Sequence, residues 1–198
     1  MKILFSVFAA MFLIAACAVK PPAVSAETLS KFEKVEANRI YWKESWHGGV
    51  AGIYHPETGM IEWREAWRSG VACVNNPETN KVEWKENWHH GVAGVYNPFT
   101  KEIEWKESWQ GGIAGVYNPE TKKVEWKESW RHGVAGVYNP STKEIEWKES
   151  WHHGVAGVYN PSSKEIEWKE SWKTGVVGIS TFENSYTTSS SSYPGVYQ

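Results

Sequence analysis

The sequence predicts an all-β chain, an antiparallel meander of tandem β-hairpins with two strands per unit and no helix inside the array. Three observations carry that expectation. Seven copies of a 21-residue unit run from Ile40 to about Ile179, and all 14 tryptophans fall within them, in pairs four residues apart from Trp42 and Trp46 to Trp168 and Trp172. Repeats of this length form arrays in which each unit completes its neighbour's core. Val124, Trp126 and Trp130 share one parity, which lines them up on one face of a strand; at helical spacing Val124 would lie nearly opposite the two indoles. Both connections within the unit also carry turn chemistry.

The elements follow in chain order. Residues 1–26 have the make-up of an export signal: Lys2, then a 14-residue apolar run from Ile3 to Ala16, then small residues. Such a run is short for a bilayer span and suits a signal segment. Ile14-Ala15-Ala16-Cys17 resembles a lipobox, which would make Cys17 a lipidated first residue, whereas Ala16-Cys17-Ala18 and Val24-Ser25-Ala26 suit an ordinary signal peptidase. All three sites imply an exported protein, whether secreted, periplasmic or lipid-anchored, with contact to a membrane only through that anchor. Residues 27–39 form a polar, charged connector with room for a short helix, and residues 180–198 a Ser/Thr-rich tail that buries little and is expected to be flexible.

Between them the repeat domain, 40–179, is expected to turn twice per unit. After the second tryptophan a three-residue loop ends in glycine in every copy: Gly49, Gly70, Gly91, Gly112, Gly133, Gly154 and Gly175. A hairpin loop of that length calls for a left-handed third residue. In Asn118-Pro119-Glu120-Thr121-Lys122 the proline presets a type I corner and the asparagine can bond its own backbone. The fourth residue of that loop should be left-handed, as Gly59 and Asn80 of the first copies suit best; lysine in the later copies has a steric cost. The first loop would pair Trp109 with Ile113, Glu107 with Gly115 and Trp105 with Tyr117. The second would pair Tyr117 with Val124, Gly115 with Trp126 and Ile113 with Glu128. Both put Ile or Val, Trp, Glu and Tyr on one face, with the mid-strand glycine making room for an indole, and Glu104, Lys106, Ser108, Ala114, Val116 and Asn118 on a solvated second face. The sheet should coil into an open solenoid or a barrel-like closure. Strands of about seven residues with a charged face exclude a membrane barrel, which needs about 9–11.

Composition removes several functions. Processing before residue 27 takes Lys2 and Lys20 but no acid, leaving 19 basic against 23 acidic residues, a net charge of −4. Acid and base alternate within each unit, so no basic stripe exists to follow nucleic acid. Cys73 alone remains beyond the signal, so no intramolecular disulfide forms; it replaces a repeat glycine, as drift between copies would. Asn139-Pro140-Ser141 and Asn160-Pro161-Ser162 are blocked as N-glycosylation acceptors. Near-identical units do not supply the asymmetric groups of an active site, so the protein is expected not to be an enzyme and to carry no cofactor.

Glu125-Trp126-Lys127 followed by His132-Gly133 resembles the MORN repeat, a β-hairpin unit whose arrays act as scaffolds and contact lipids or proteins. The period, the aromatic density and the export signal are similar to the cell-wall-binding repeats that hold choline or glucan between hairpins. Both resemblances cover about residues 40–179 and imply a hairpin array; the tryptophan spacing differs from the second family, so no ligand residue is implied.

The candidate site is Trp-Lys-Glu-x-Trp with the tyrosine of the following strand. It comprises Trp63, Glu65 and Trp67; Trp84, Glu86, Trp88 and Tyr96; Trp105, Glu107, Trp109 and Tyr117; Trp126, Glu128, Trp130 and Tyr138; and Trp147, Glu149, Trp151 and Tyr159. A flat ring beside a carboxylate suits a sugar, which stacks its apolar face and hydrogen-bonds through its hydroxyls. The competing account is a satisfied core in which these glutamates accept from indoles or pair with lysines, since an unpaired buried charge is costly. His89-His90 and His152-His153 recur at a loop that holds Arg68-Ser69 and Gln110-Gly111 elsewhere, so they fit solvated turns better than a metal site. Two functions follow: a module that binds a glycan or another envelope polymer through many linked sites, or a structural or adhesive protein that self-associates through edge strands.

Overall fold

The computed structural model describes residues 29–46, 48–67, 70–87, 91–109, 111–130, 133–151, 154–182, 188–191 and 196–197. The signal segment with Cys17 lies outside these residues, as do Trp88 and both histidine pairs. The described chain is all β. Its strands are β1 (Leu29–Lys34), β2 (Ile40–Ser45), β3 (Val50–His55), β4 (Met60–Glu65), β5 (Gly70–Asn76) and β6 (Lys81–Asn87). Next come β7 (Val92–Asn97), β8 (Glu102–Glu107), β9 (Gly112–Asn118), β10 (Lys123–Ser129), β11 (Gly133–Asn139) and β12 (Glu144–Ser150). The series ends with β13 (Gly154–Asn160), β14 (Glu165–Ser171), β15 (Gly175–Ser180), β16 (Thr188–Ser191) and β17 (Val196–Tyr197).

The Asn-Pro loop builds the hairpins in the expected register: Tyr117 pairs with Val124, Gly115 with Trp126 and Ile113 with Glu128. The asparagine holds the loop from inside. Asn118 Oδ1 accepts from the Glu120 amide at 2.9 Å, its Nδ2 donates to Glu125 at 2.6 Å, and the Lys122 amide donates to its carbonyl at 2.8 Å. The fourth loop residue is left-handed as expected, with φ of 64° at Gly59, 53° at Asn80 and 58–63° at Lys101, Lys122, Lys143 and Lys164.

The other loop does something else. The ladder expected across it does not form: Trp105 pairs with Gly94 and Glu107 with Val92, back in their own hairpin. Nor, among the described residues, does a positive φ fall on this loop: Gly59, in the other loop, is the one glycine with positive φ. At Gly91, Gly154 and Gly175 the missing side chain serves close packing instead. A Cβ on Gly175 would stand 2.5 Å from the Gly48 carbonyl oxygen, and one on Gly154 would stand 2.8 Å from Val176, each in the next unit. The reason lies in the strand that follows. Ile113 and Gly115 on one face are joined by Ala114 and Val116 on the other, and all are buried. A strand apolar on both faces cannot sit in a one-sided sheet; it needs a layer on each side.

The hairpins therefore stack face to face. Each inner strand (β3, β5, β7, β9, β11, β13) packs on the next, and β15 packs on β3. The seventh hairpin is made from the two ends of the array, with β15 pairing with β2 from Gly175↔Ser45 to Ser180↔Ile40. Seven two-stranded blades close in a ring, the layout of a propeller with unusually narrow blades. Where the closing blade lacks a covalent loop, Thr181 takes its place: its amide donates to the Arg39 carbonyl at 2.9 Å and its hydroxyl to the Glu36 carbonyl at 2.8 Å.

Both flanks add strands. The connector forms no helix over its described residues, 29–39; residues 29–34 are β1, which pairs antiparallel with the outer edge of β4. In the tail, expected to be flexible, β16 pairs with the inner edge of β3, β17 pairs with β11, and the two pair with each other. They also lie against β5, β7, β9, β13 and β15, which places them inside the ring.

The four left-handed lysines supply a test. Glycine there removes a steric cost of about 1–2 kcal/mol, against roughly 0.5–1 kcal/mol of added chain entropy. Lys122→Gly is expected to stabilise by about 0.5–1 kcal/mol in denaturant unfolding, and the substitution at all four loops to raise Tm further. A fall in stability would contradict the assignment.

Candidate ligand-binding rim

The two tryptophans of each unit part company. The first lies against the glycine of its paired strand, so tightly that a Cβ on Gly115 would be 2.5 Å from Trp126 Cζ3. Trp63 is buried, and Trp84, Trp105, Trp126 and Trp147 are half-buried. The other side of each ring meets the preceding blade. Val116 packs at Gly136 beside Trp147, and a cation sits over the indole: Lys85 at 5.8 Å from the Trp105 centroid, Lys106 at 5.9 Å from Trp126, Arg64 at 4.0 Å from Trp84. These indoles are core.

The lysines of these strands also account for the glutamates. Lys106 Nζ reaches Glu128 at 2.7 Å, Lys85 reaches Glu107 at 2.8 Å, Lys127 reaches Glu149 at 2.9 Å and Lys43 reaches Glu65 at 3.0 Å. In each pair the lysine belongs to one blade and the carboxylate to the next. The buried serine that precedes the second tryptophan completes the clamp where Ser150 donates to Glu170 at 3.2 Å and Ser171 to Glu44 at 3.1 Å. The glutamates are thus not unpaired charges in a dry core; they are half-exposed and bridged across blades. Exposed ion pairs of this kind contribute at most about 1 kcal/mol each, so they orient neighbouring blades more than they stabilise them. Glu44, on the closing blade, is the best held. Burial pushes its carboxyl up, but Lys169 at 2.9 Å, Lys173 at 3.2 Å and Ser171 outweigh that and hold it below the ordinary carboxylate value.

The tyrosines leave the site altogether. They lie at the end of the blade that carries the Asn-Pro loops, and bond the preceding blade's loop: Tyr96 to Glu78 at 3.0 Å, Tyr138 to Glu120 at 3.4 Å, and Tyr159 to Ser141 at 3.1 Å. Burial, and then the nearby carboxylate, push the Tyr96 and Tyr138 phenols up. Tyr117 occupies the same strand position in β9. Cys73 is likewise internal: it pairs with Trp84, donates to the Gly52 carbonyl at 3.3 Å, and burial pushes its thiol far up, out of reach of ionisation.

What remains is a rim. At the opposite end of the blades, just past the outer strands, the second tryptophans stand out: Trp46, Trp67, Trp109, Trp130, Trp151 and Trp172 are 51–78 % exposed. They make up six of the eight large hydrophobic side chains exposed among the described residues. Between two adjacent blades, Trp109 and Trp130 wall an open cleft of about 200 Å³, lined also by Glu107, Ser108, Glu128 and Ser129. Two indoles, two carboxylates and two hydroxyls thus meet where solvent enters. The serines were not among the expected site residues, although Lys-Glu-Ser-Trp recurs in five units. Trp46 and Trp172 of the end units also belong to the ring. Among the described residues no cluster of His, Cys, Asp or Glu could hold a metal ion.

No known protein family matches the chain, and no curated protein or solved structure matches it significantly.

Two outcomes follow from this geometry. Trp126→Ala removes an interface indole and is expected to destabilise by about 2–4 kcal/mol, whereas Trp130→Ala should stay within about 0.5 kcal/mol of wild type; chemical denaturation of both variants distinguishes them. Glu44 has a lowered folded-state pKa, so its stabilisation is present above its ordinary value of 4.5 and is lost as pH falls through the folded value. Glu44→Gln should therefore lower Tm at pH 7 and lose that effect near pH 3.

Proposed function

We propose that the protein is an exported, non-catalytic binding module whose tryptophan rim takes a glycan or another polymer of the cell envelope. The observation that supports this reading is the cleft between Trp109 and Trp130, where exposed indoles stand beside Glu128 and the Ser108 and Ser129 positions. Solvent-facing indoles are an outlay of apolar surface that a closed core does not need. A sugar ring stacks on one of them and reaches the carboxylate with its hydroxyls, and linked sites around the ring add avidity. The likeness to cell-wall-binding hairpin repeats enters as part of this proposal, with the tandem hairpins in its support.

A second reading has its own observation. β1 adds a strand to the outer edge of β4, so the outer edge of a blade can accept one, and self-association through the other outer strands would make the protein structural or adhesive.

Titration with a panel of envelope polysaccharides separates the two. The binding module predicts a polymer-dependent change in tryptophan fluorescence, and at least ten-fold weaker binding in Trp109→Ala/Trp130→Ala with Tm unchanged. No response to any polymer, together with concentration-dependent filaments in light scattering, would instead establish the structural reading.

A further inference from the structure

The cleft between Trp109 and Trp130 differs in one respect from the interfaces further round the ring. There the serine that precedes the second tryptophan donates across to the next blade's glutamate: Ser150 to Glu170 Oε2 at 3.2 Å and Ser171 to Glu44 Oε2 at 3.1 Å. Ser108 and Glu128 stand in the same relation, one blade to the next, and line the cleft together. Yet among the described residues the hydroxyls of Ser108 and Ser129 have no hydrogen-bond partner, although the two residues are only 6 % and 7 % exposed. Buried polar groups are seldom left in that state. Glu107 and Glu128 each hold a lysine through one carboxylate oxygen, Lys85 at 2.8 Å and Lys106 at 2.7 Å, and the second oxygen of each has no protein partner among the described residues. Charge at the cleft is therefore balanced, lysine against glutamate. What is left unused is hydrogen-bonding capacity.

We propose, on the footing of the glycan-binding rim, that this cleft selects neutral, hydroxyl-bearing sugars over charged ones. A group that takes the place of a Ser108–Glu128 bond must accept from the serine and donate to the carboxylate at once. A sugar hydroxyl does both. A protonated amine has only donors, which leaves the serine proton unused, and carboxylate or phosphate oxygens have only acceptors, which leaves Glu128 unused. Charge acts in the same direction. A cation finds each glutamate already paired with a lysine, and an anion meets two carboxylates at close range, a like-charge contact that suppresses wrong partners. The cleft, at about 200 Å³, is also smaller than the roughly 300 Å³ at which sites for drug-sized ligands begin, so it suits one ring, stacked on an indole, with the rest of a polymer running on along the rim.

Tryptophan fluorescence titrations of the whole protein test this with short oligosaccharides of three classes: neutral glucans and mannans, polygalacturonate, and chitosan at a pH where its amines are charged. At least one neutral series should bind at least ten-fold more tightly than either charged one. Ser108→Ala/Ser129→Ala should weaken that binding at least five-fold with Tm close to wild type, since alanine already stands at this position in the second unit, as Ala66. Lys106→Met keeps an apolar stem over Trp126 but leaves Glu128 without its cation, and should strengthen chitosan binding at least five-fold. Equal or tighter binding of a charged series by wild type would overturn the selectivity while leaving the rim a binding surface. Neutral binding unchanged in the folded serine variant, or chitosan binding unchanged in folded Lys106→Met, would overturn it as well. No response to any of the three classes would remove the binding module itself, and the selectivity with it.

Discussion

The ring depends on one contact, an indole laid on a glycine. Trp126 crosses the Cα of Gly115 with no room for a methyl group between them, and the same fit recurs at Gly136 with Trp147 and Gly157 with Trp168. Because the indole lies flat, the blade is thin enough for the preceding blade's valine to reach the same glycine: Val116 meets Gly136 and Val137 meets Gly157. The valine then fills the interface that would otherwise be a cavity, and its neighbours Ala114 and Ala135 keep the inner strands close. Face-to-face stacking, and with it the closed ring, follows from that thickness. The unit with Cys73 shows the tolerance of the arrangement. There the indole of Trp84 is covered by an arginine at 4.0 Å, closer than any lysine comes to its indole elsewhere; guanidinium is planar and stacks where ammonium cannot.

Much of this was legible in the sequence, for identifiable reasons. The Asn-Pro loop imposes its geometry locally, so Tyr117↔Val124 and the left-handed Lys122 could be derived from turn chemistry alone. The Trp-Gly loop could not. Its glycine has two possible uses, a left-handed turn or a tight contact, and only the next blade decides between them. The signal was present in the strand it enters: Ile113, Ala114, Gly115 and Val116 are apolar or small on both parities, which argues against a sheet with a solvated face. Reading parity on the outer strand, where Glu125 and Lys127 do alternate with Trp126, concealed that.

The candidate site illustrates the same point for chemistry. Parity places Trp126, Glu128 and Trp130 on one line, and they appear as a single aromatic-acidic unit. Strand length separates them. β10 ends at Ser129, so Trp126 lies mid-blade under a lysine while Trp130 has passed the end of the ladder and faces water. Glu128, between the two, turns to the preceding blade. A repeated pair of identical residues therefore does two jobs, internal packing and external display, and only distance from the strand end tells them apart.

Closure also sets a count. An open array can gain or lose units without disturbing those that remain, because each needs only its neighbours. Here the first array strand is half of the blade whose other half is the last, and the blade is completed only when Ile40–Ser45 meets Gly175–Ser180. Duplication of units, which the near-identity of the inner repeats suggests as their origin, would carry an eighth copy to an angle the ring cannot accommodate without opening every interface slightly. A lineage of such proteins would be expected to change repeat number in jumps between closed rings, and to accept substitution within units far more readily than insertion of one.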